Sequence, residues 1–255
     1  MKDTFGSFRF YDQPGNFQIL MKPRIIPSLI LIAASLTANC FALTPITERF
    51  KGTELNATRW YHYHGENSKL QVANGKLNFV IATQPTHDEF ASLELLTSQP
   101  GYNENWQVVV DLANTAKLGQ DVGCGVMLFN FADRSDYLYV ESYGRSGLSA
   151  GMLVNGTHAD NARFSLGVGV PKGALRIRFN SETKLLTFYL SATGYAAGYD
   201  WKKIGTVSPT GKGGKVNGNW RMNSEGKFGI QLFGFGDAKV ESGKLTFDNF
   251  KLSDF

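Results

Sequence analysis

The sequence predicts an all-β fold: a two-sheet antiparallel β-sandwich, jelly-roll-like in outline. Three observations predict it. After residue 43 no stretch keeps a 3.6-residue apolar period for three turns. Short runs rich in β-branched and aromatic residues alternate instead, with Gly, Asn and Ser between them. There are about a dozen such runs; one open sheet of that size would curl or leave an apolar face in water, and a second sheet stacked on it removes the problem.

The front of the chain is different. In "MKPRIIPSLILIAASLTANCFALTP", Lys22 and Arg24 precede an apolar run from Ile25 to Ala38, and Cys40-Phe41-Ala42 places small residues before a cut. The run is shorter than the roughly 20 residues of a membrane-spanning helix, so the pattern predicts a secretory signal peptide. Residues 1–42 are thus read as an upstream extension plus signal, with Met21 as the start and cleavage after Ala42. The product is secreted or periplasmic, with no transmembrane segment, and residues 43–255 form one β-sandwich domain. Cleavage removes Lys2, Arg9, Lys22 and Arg24 against Asp3 and Asp12, taking the formal charge from +4 to +2. So weak a balance excludes an electrostatic footprint for nucleic acid. Cys124 remains as the single cysteine of that domain, and in "GCGVMLF" it reads as a small buried hydrophobe.

The elements follow in order. "KLQVANGKLNFVI" is a hairpin: Leu70 and Val72 lead into Asn74-Gly75, and Leu77, Phe79 and Ile81 alternate after it. "GMLVNGTH" repeats the signal at Asn155-Gly156. Strands fit "FASLELLTS", "WQVVVDLA", "CGVMLFNF", "YLYVESY" and "KFGIQLFGF". "ALRIRFNSETKLLTFYLSA" is a second hairpin, with Leu175, Ile177 and Phe179 on one face and Arg176 and Arg178 on the other. Residues 206–219, rich in Gly and Lys, read as a surface loop, and "QPTHDEF" as a solvated acidic one. In the closing "GKLTFDNFKLSDF", Leu245 and Phe247 are out of phase with Phe250 and Leu252. One extra residue reverses every later side chain, so a bulge is expected at Asp248-Asn249.

With these elements placed, "RFKGTELNATRWYHYHGENSKLQVANGKLNF" resembles the opening of secreted domains in the concanavalin A-like lectin/glucanase superfamily. "LRIRFNSETKLLTFYLSATGYAAGYDWKKIGT" and "GKLTFDNFKL" are similar to its later hairpin and closing strand. The resemblance implies that fold, and a function among sugar-binding modules, glycoside hydrolases and polysaccharide lyases. Neither the E-x-D-x-x-E strand of laminarinase-type glucanases nor the R-x-E-L-R strand of alginate lyases is present. In several members an acid on the last strand holds a structural calcium, which the resemblance implies for Asp248; the alternative there is a bulge held by Asx hydrogen bonding.

Alternation then selects a face. In "DYLYVESYG", Tyr137, Tyr139, Glu141 and Tyr143 oppose Leu138 and Val140. Glu94 opposes Leu93 and Leu95, and Phe129 opposes Leu128. An unpaired carboxylate is costly to bury, so both acids are expected on the solvated side. Sugars bind such surfaces, packing C–H faces on rings and giving hydroxyls to acids; the competing reading is ordinary cross-strand aromatic pairing. His62 and His64, two apart beside Trp60, read as packing in preference to a metal pair. Three functions stand. The first is a carbohydrate-binding protein without catalysis and with no required cofactor. The second is a glycan-cleaving enzyme using Glu94 and Glu141 on adjacent strands, and the third an envelope or adhesion protein packing its aromatic face on a protein partner. Sequons at Asn56 and Asn155 matter only in a glycosylating host.

Overall fold

Asn74 and Gly75 take positive φ values of 53° and 70°, the pair that lets a two-residue turn follow the twist of its strands. They join β3 (Ser68–Ala73) to β4 (Lys76–Ile81), registered from Ser68↔Ile81 to Ala73↔Lys76. The computed structural model describes residues 43–116, 121–143, 147–154, 157–158, 164–168, 172–211, 213–214 and 216–255. The expectations for residues 1–42 and for Asn155-Gly156 lie outside these. The other early strands are β1 (Ile46–Glu48), β2 (Trp60–Tyr63), β5 (Glu89–Leu95), β6 (Trp106–Asn114), β7 (Val122–Asn130) and β8 (Asp133–Tyr143). Then come β9 (Gly147–Val154), β10 (Thr157–His158), β11 (Phe164–Val168), β12 (Lys172–Asn180) and β13 (Leu185–Ser191). A 3₁₀ turn (Tyr195–Ala197) precedes β14 (Lys202–Ser208), β15 (Val216–Asn217), β16 (Phe228–Gly236) and β17 (Val240–Ser253).

These strands form two sheets. The first runs β15-β14-β13-β12-β6-β17-β4-β3, with β1 also on β17. The second runs β10-β9-β8-β7-β16-β5-β2, with β11 on β9. All pairs are antiparallel except the short β14–β15 contact, Val207↔Val216. The predicted sandwich is therefore present. The expected 206–219 loop is entered by a strand: Thr206–Ser208 continue β14, Val207 is buried, and beyond the loop the Trp220 N–H donates to Pro209.

The phase slip near the C-terminus is a bulge. Asp248 pairs with Asp111 and Lys251 with Val109, so β17 carries one more residue than β6 between those points. Asn249 absorbs it at φ 49°. Leu245, Phe247, Phe250 and Leu252 consequently all reach the core, each 0 % exposed. The bulge is also where β17 changes edge partner, from β4 at Phe247↔Leu77 to β1 at Phe250↔Glu48.

Between the sheets, Trp106, Phe179 and Phe228 meet at ring separations of 4.9–5.5 Å, geometry that adds to simple area burial. Trp60 packs edge-on to Phe250 at 5.2 Å. Cys124 is buried, and burial pushes its thiol up to about 12, which makes it inert.

His62 joins the two edges. It stands on β2, at the edge of the second sheet, and its Nε2 accepts the N–H of Leu70 on β3, the edge of the first, at 3.2 Å. The packing role expected for it is thus a specific bond that requires a neutral ring. Burial, then the nearby His64 and Lys69, hold its pKa below the ordinary value. Above pH about 6.5 folded and unfolded imidazoles are both neutral; below it the unfolded chain binds the proton first, so stability falls toward the lower folded pKa. Thermal unfolding followed by circular dichroism is expected to show Tm dropping as pH passes below about 6.5. His62→Gln, which keeps an acceptor that does not titrate, should flatten that slope; an unchanged slope would remove the assignment.

Candidate functional site

On the outward face of the second sheet, strand pairing sets the side chains in rows. One row runs Glu94, Gln231, Met127, Tyr139. The next runs Ser92, Phe233, Gly125, Glu141, Ser149, and a third Phe90, Phe235, Gly123, Tyr143. Phe129 sits between Gly229 and Tyr137 in a fourth. Tyr137, Tyr139, Glu141, Tyr143, Glu94 and Phe129 therefore share one face, as alternation predicts.

That face is paved with rings lying flat on neighbouring strands. A Cβ at Gly229 would fall inside the Phe129 ring, one at Gly123 inside Phe235, and one at Gly151 inside Tyr139. Glycine at those three points is what lets the rings lie down. The rings then run edge to edge: Tyr143 to Phe235 at 5.9 Å and 15°, Phe235 to Phe233 at 6.1 Å and 20°, Phe233 to Phe90 at 6.0 Å and 22°. Tyr63, 51 % exposed, continues the line from Phe90 at 6.1 Å. Five rings from four strands make a continuous aromatic strip.

The two acids differ from expectation. Glu94 is on the predicted face but only 5 % exposed. Arg134 grips it through two bonds of 2.9 and 2.5 Å, and the Gln231 amide donates a third at 3.1 Å. Arg134 in turn lies 4.7 Å over the Phe129 ring. The carboxylate is buried because it is paired, a partner that alternation within one strand does not reveal. Glu141 is half-buried and accepts a bond from Ser149 at 2.9 Å. The expected adjacency of the two is absent: β16 and β7 separate β5 from β8. At about 4.8 Å per strand spacing the acids are on the order of 14 Å apart. An acid–nucleophile pair needs about 5–5.5 Å and an inverting pair about 6.5–9.5 Å. The glycan-cleaving assignment of Glu94 and Glu141 is withdrawn on that geometry.

Sequence reasoning missed Phe90, Phe233, Phe235, Gln231 and Arg134. The signal was present in "KFGIQLFGF", but both of its faces are apolar, so alternation alone does not say which points outward. The acidic loop also departs from expectation. Glu89, read as solvated in "QPTHDEF", is 2 % exposed. Burial alone would raise its carboxyl; bonds from Asn67 and Ser68 and the nearby His87 outweigh that and hold it below the usual range. Asn56 takes part in its own turn, accepting from the Thr58 N–H and hydroxyl at 3.0 and 2.7 Å.

Asp248 fits the Asx reading of the bulge. Its Oδ1 accepts the Asn249 N–H at 2.7 Å. The Asn249 amide donates to Asp111 at 2.9 Å, and Asp111 also accepts from the Tyr195 N–H and the Tyr199 hydroxyl. Burial, and Asp111 opposite, raise the Asp248 pKa against the opposing pull of Asn249, Lys76 and Arg49. Calcium takes six to eight oxygens. The Asp111 oxygens are already engaged by hydrogen-bond donors, Lys76 and Lys172 share the pocket, and no cluster of three or more His, Cys, Asp or Glu occurs among the described residues. These residues do not fit the ion.

No protein-family model matches this sequence, and no curated protein matches it. Solved structures do. The lectin UEA-II complexed with galactose superposes with a TM-score of 0.55 at 13% identity, over 84% of this chain and 100% of that one. The VIP36 exoplasmic/lumenal domain in its Ca²⁺/Man2-bound form gives 0.50 at 12%, over 83% and 87%. An endo-β-galactosidase from Clostridium perfringens gives 0.52 at 10%, over 81% and 60%. The fold is concanavalin A-like. Within that fold this chain carries its own face of rings and acids.

Two outcomes follow from the pairings. Arg134→Ala strands the Glu94 charge and is expected to lower unfolding free energy by about 1–3 kcal/mol in urea titrations, with Glu94→Gln in the same chain restoring part of it. Asp248→Ala should lower Tm equally in millimolar calcium and in chelator; stabilisation by calcium that this variant abolishes would reinstate the ion.

Proposed function

We propose that the protein binds a carbohydrate chain on the outward face of the second sheet and does not cleave it. The observation that carries this is the strip of near-parallel rings from Tyr143 through Phe235 and Phe233 to Phe90, in which Phe233, 3 % exposed, backs the half-buried Tyr143, Phe235 and Phe90 that would meet the sugar. Sugar C–H faces pack on rings held flat, and the flanking polar groups meet the hydroxyls. Here those groups are Glu141 with Ser149, and Gln231 with the Glu94–Arg134 pair, whose arginine side chain is 58 % exposed. Tyr137 and Tyr139 flank the same surface; Phe129, expected beside them, is 2 % exposed beneath Arg134 and only backs it. Two proteins of this fold were solved with galactose and with Man2, which is consistent with a sugar ligand. Export through residues 21–42 belongs to the proposal, since it places the domain where polysaccharides are met. No helix among the described residues is long and apolar enough to cross a membrane.

The test is a glycan array followed by calorimetry and a reducing-sugar assay on the bound glycan. Binding without release is expected. Tyr139→Ala with Tyr143→Ala should weaken it about tenfold or more, at about 0.5–1.5 kcal/mol per ring, with the circular dichroism spectrum unchanged. Parent-like binding by this double variant would overturn the proposal, and so would release of reducing ends.

A further inference from the structure

The opposite face of the molecule, the outward side of the first sheet, holds a pocket that the glycan reading does not use. Its volume is about 260 Å³. One row of the sheet crosses its floor: Thr47 on β1, Lys251 on β17, Val109 on β6 and Arg176 on β12. Arg178, two residues along β12, shares the face, and Arg49 closes the near end. Four cations therefore converge, with no carboxylate in the lining.

The guanidiniums are held in place by rings in preference to acids. Arg176 lies between Tyr189 at 4.1 Å and Trp201 at 4.5 Å. Arg178 sits over Phe255 at 4.3 Å and donates its Nε–H to Gln107 at 3.1 Å. Arg49 donates to the exposed Tyr195 hydroxyl at 3.2 Å. The Arg176 Nε is buried with no hydrogen-bond partner. Asp111 is engaged by Tyr195, Tyr199 and Asn249, and Asp248, which accepts from Asn249, faces Arg49 alone of the four cations. Burial and the adjacent Arg178 depress the Arg176 pKa, as expected where like charges lack a counter-ion.

We infer that this pocket accepts an oxyanion carried on a sugar ring, a carboxylate or a sulfate ester of an acidic polysaccharide. Planar guanidiniums fixed against aromatic faces give paired donors to such oxygens at low entropic cost. Asn249 and Thr47 supply neutral polar groups beside them, and Tyr195, 53 % exposed, offers a ring face at the rim. The volume lies just under the roughly 300–1,000 Å³ usual for small-molecule sites, the size for one substituted ring. The site is independent of the aromatic strip on the other sheet.

Calorimetric titration of the full chain with a galacturonate oligomer, a sulfated disaccharide, a neutral oligosaccharide of matched length and inorganic sulfate tests it. Binding by the first or second, weakened by added salt and absent for the neutral sugar, is expected and names the anion. Arg178→Gln and the exposed Lys251→Gln should each weaken that binding about fivefold or more and Arg176→Gln about tenfold or more, as loss of a charge-assisted hydrogen bond does. The lysine variant keeps the result readable if the more enclosed Arg176 variant unfolds. Failure of both acidic sugars to bind overturns the inference, as does equal affinity for the neutral one, equal affinity for free sulfate, or indifference to Lys251→Gln and Arg178→Gln.

Discussion

Side chains on a strand have only two directions available, and both sheets depend on each strand keeping its apolar set turned inward. β17 is where that rule is under most strain. It is the longest strand among the described residues, pairs with β6 from Leu245 to Ser253, and exchanges β4 for β1 part-way. Were the extra residue at Asn249 not absorbed by the bulge, Phe250 and Leu252 would face water while Leu245 and Phe247 stayed inside. The Asp248 carboxylate accepts the Asn249 N–H, and the Asn249 side-chain amide donates to Asp111, which also pins the Tyr195–Tyr199 turn. Core parity and the wall of the basic pocket thus share one hydrogen-bonded cluster.

The two outer faces have opposite characters, and backbone composition explains it. On the second sheet, glycines at positions 123, 151 and 229 leave recesses that rings from adjacent strands fill. The result is a broad surface on which the Glu94 carboxylate is buried against an exposed Arg134. On the first, β12 alternates Arg176 and Arg178 with core residues, and the rings of Tyr189, Trp201 and Phe255 stand against the guanidiniums. Aromatic side chains pave the face itself on one side and support charge on the other.

Much of this was legible in the residue order. The Asn74-Gly75 hairpin, the β12–β13 pairing, the slip at Asp248 and the shared face of Tyr139, Glu141 and Glu94 all follow from a period of two and from turn chemistry. What alternation does not carry is strand order. β16 lies between β5 and β7 although most of the chain separates them, so the distance between Glu94 and Glu141 had no local signature. Arg134 was invisible for the same reason: its partner is 40 residues earlier on a strand that is not its neighbour. Glu89 was misjudged because its loop looks polar throughout, while Asn67 supplies bonds from across the sandwich edge.

The rings seated over glycines bear on how readily the aromatic face can engage anything. A tyrosine or phenylalanine standing free on a sheet must give up rotamer freedom when a ligand arrives, at about 0.5–1.5 kcal/mol per immobilised side chain. Phe235 and Tyr139 are already seated in the recesses over Gly123 and Gly151, so part of that entropy was surrendered during folding. Such a surface is preorganised. It would favour ligands with an equally flat, stiff outline over flexible ones of similar composition.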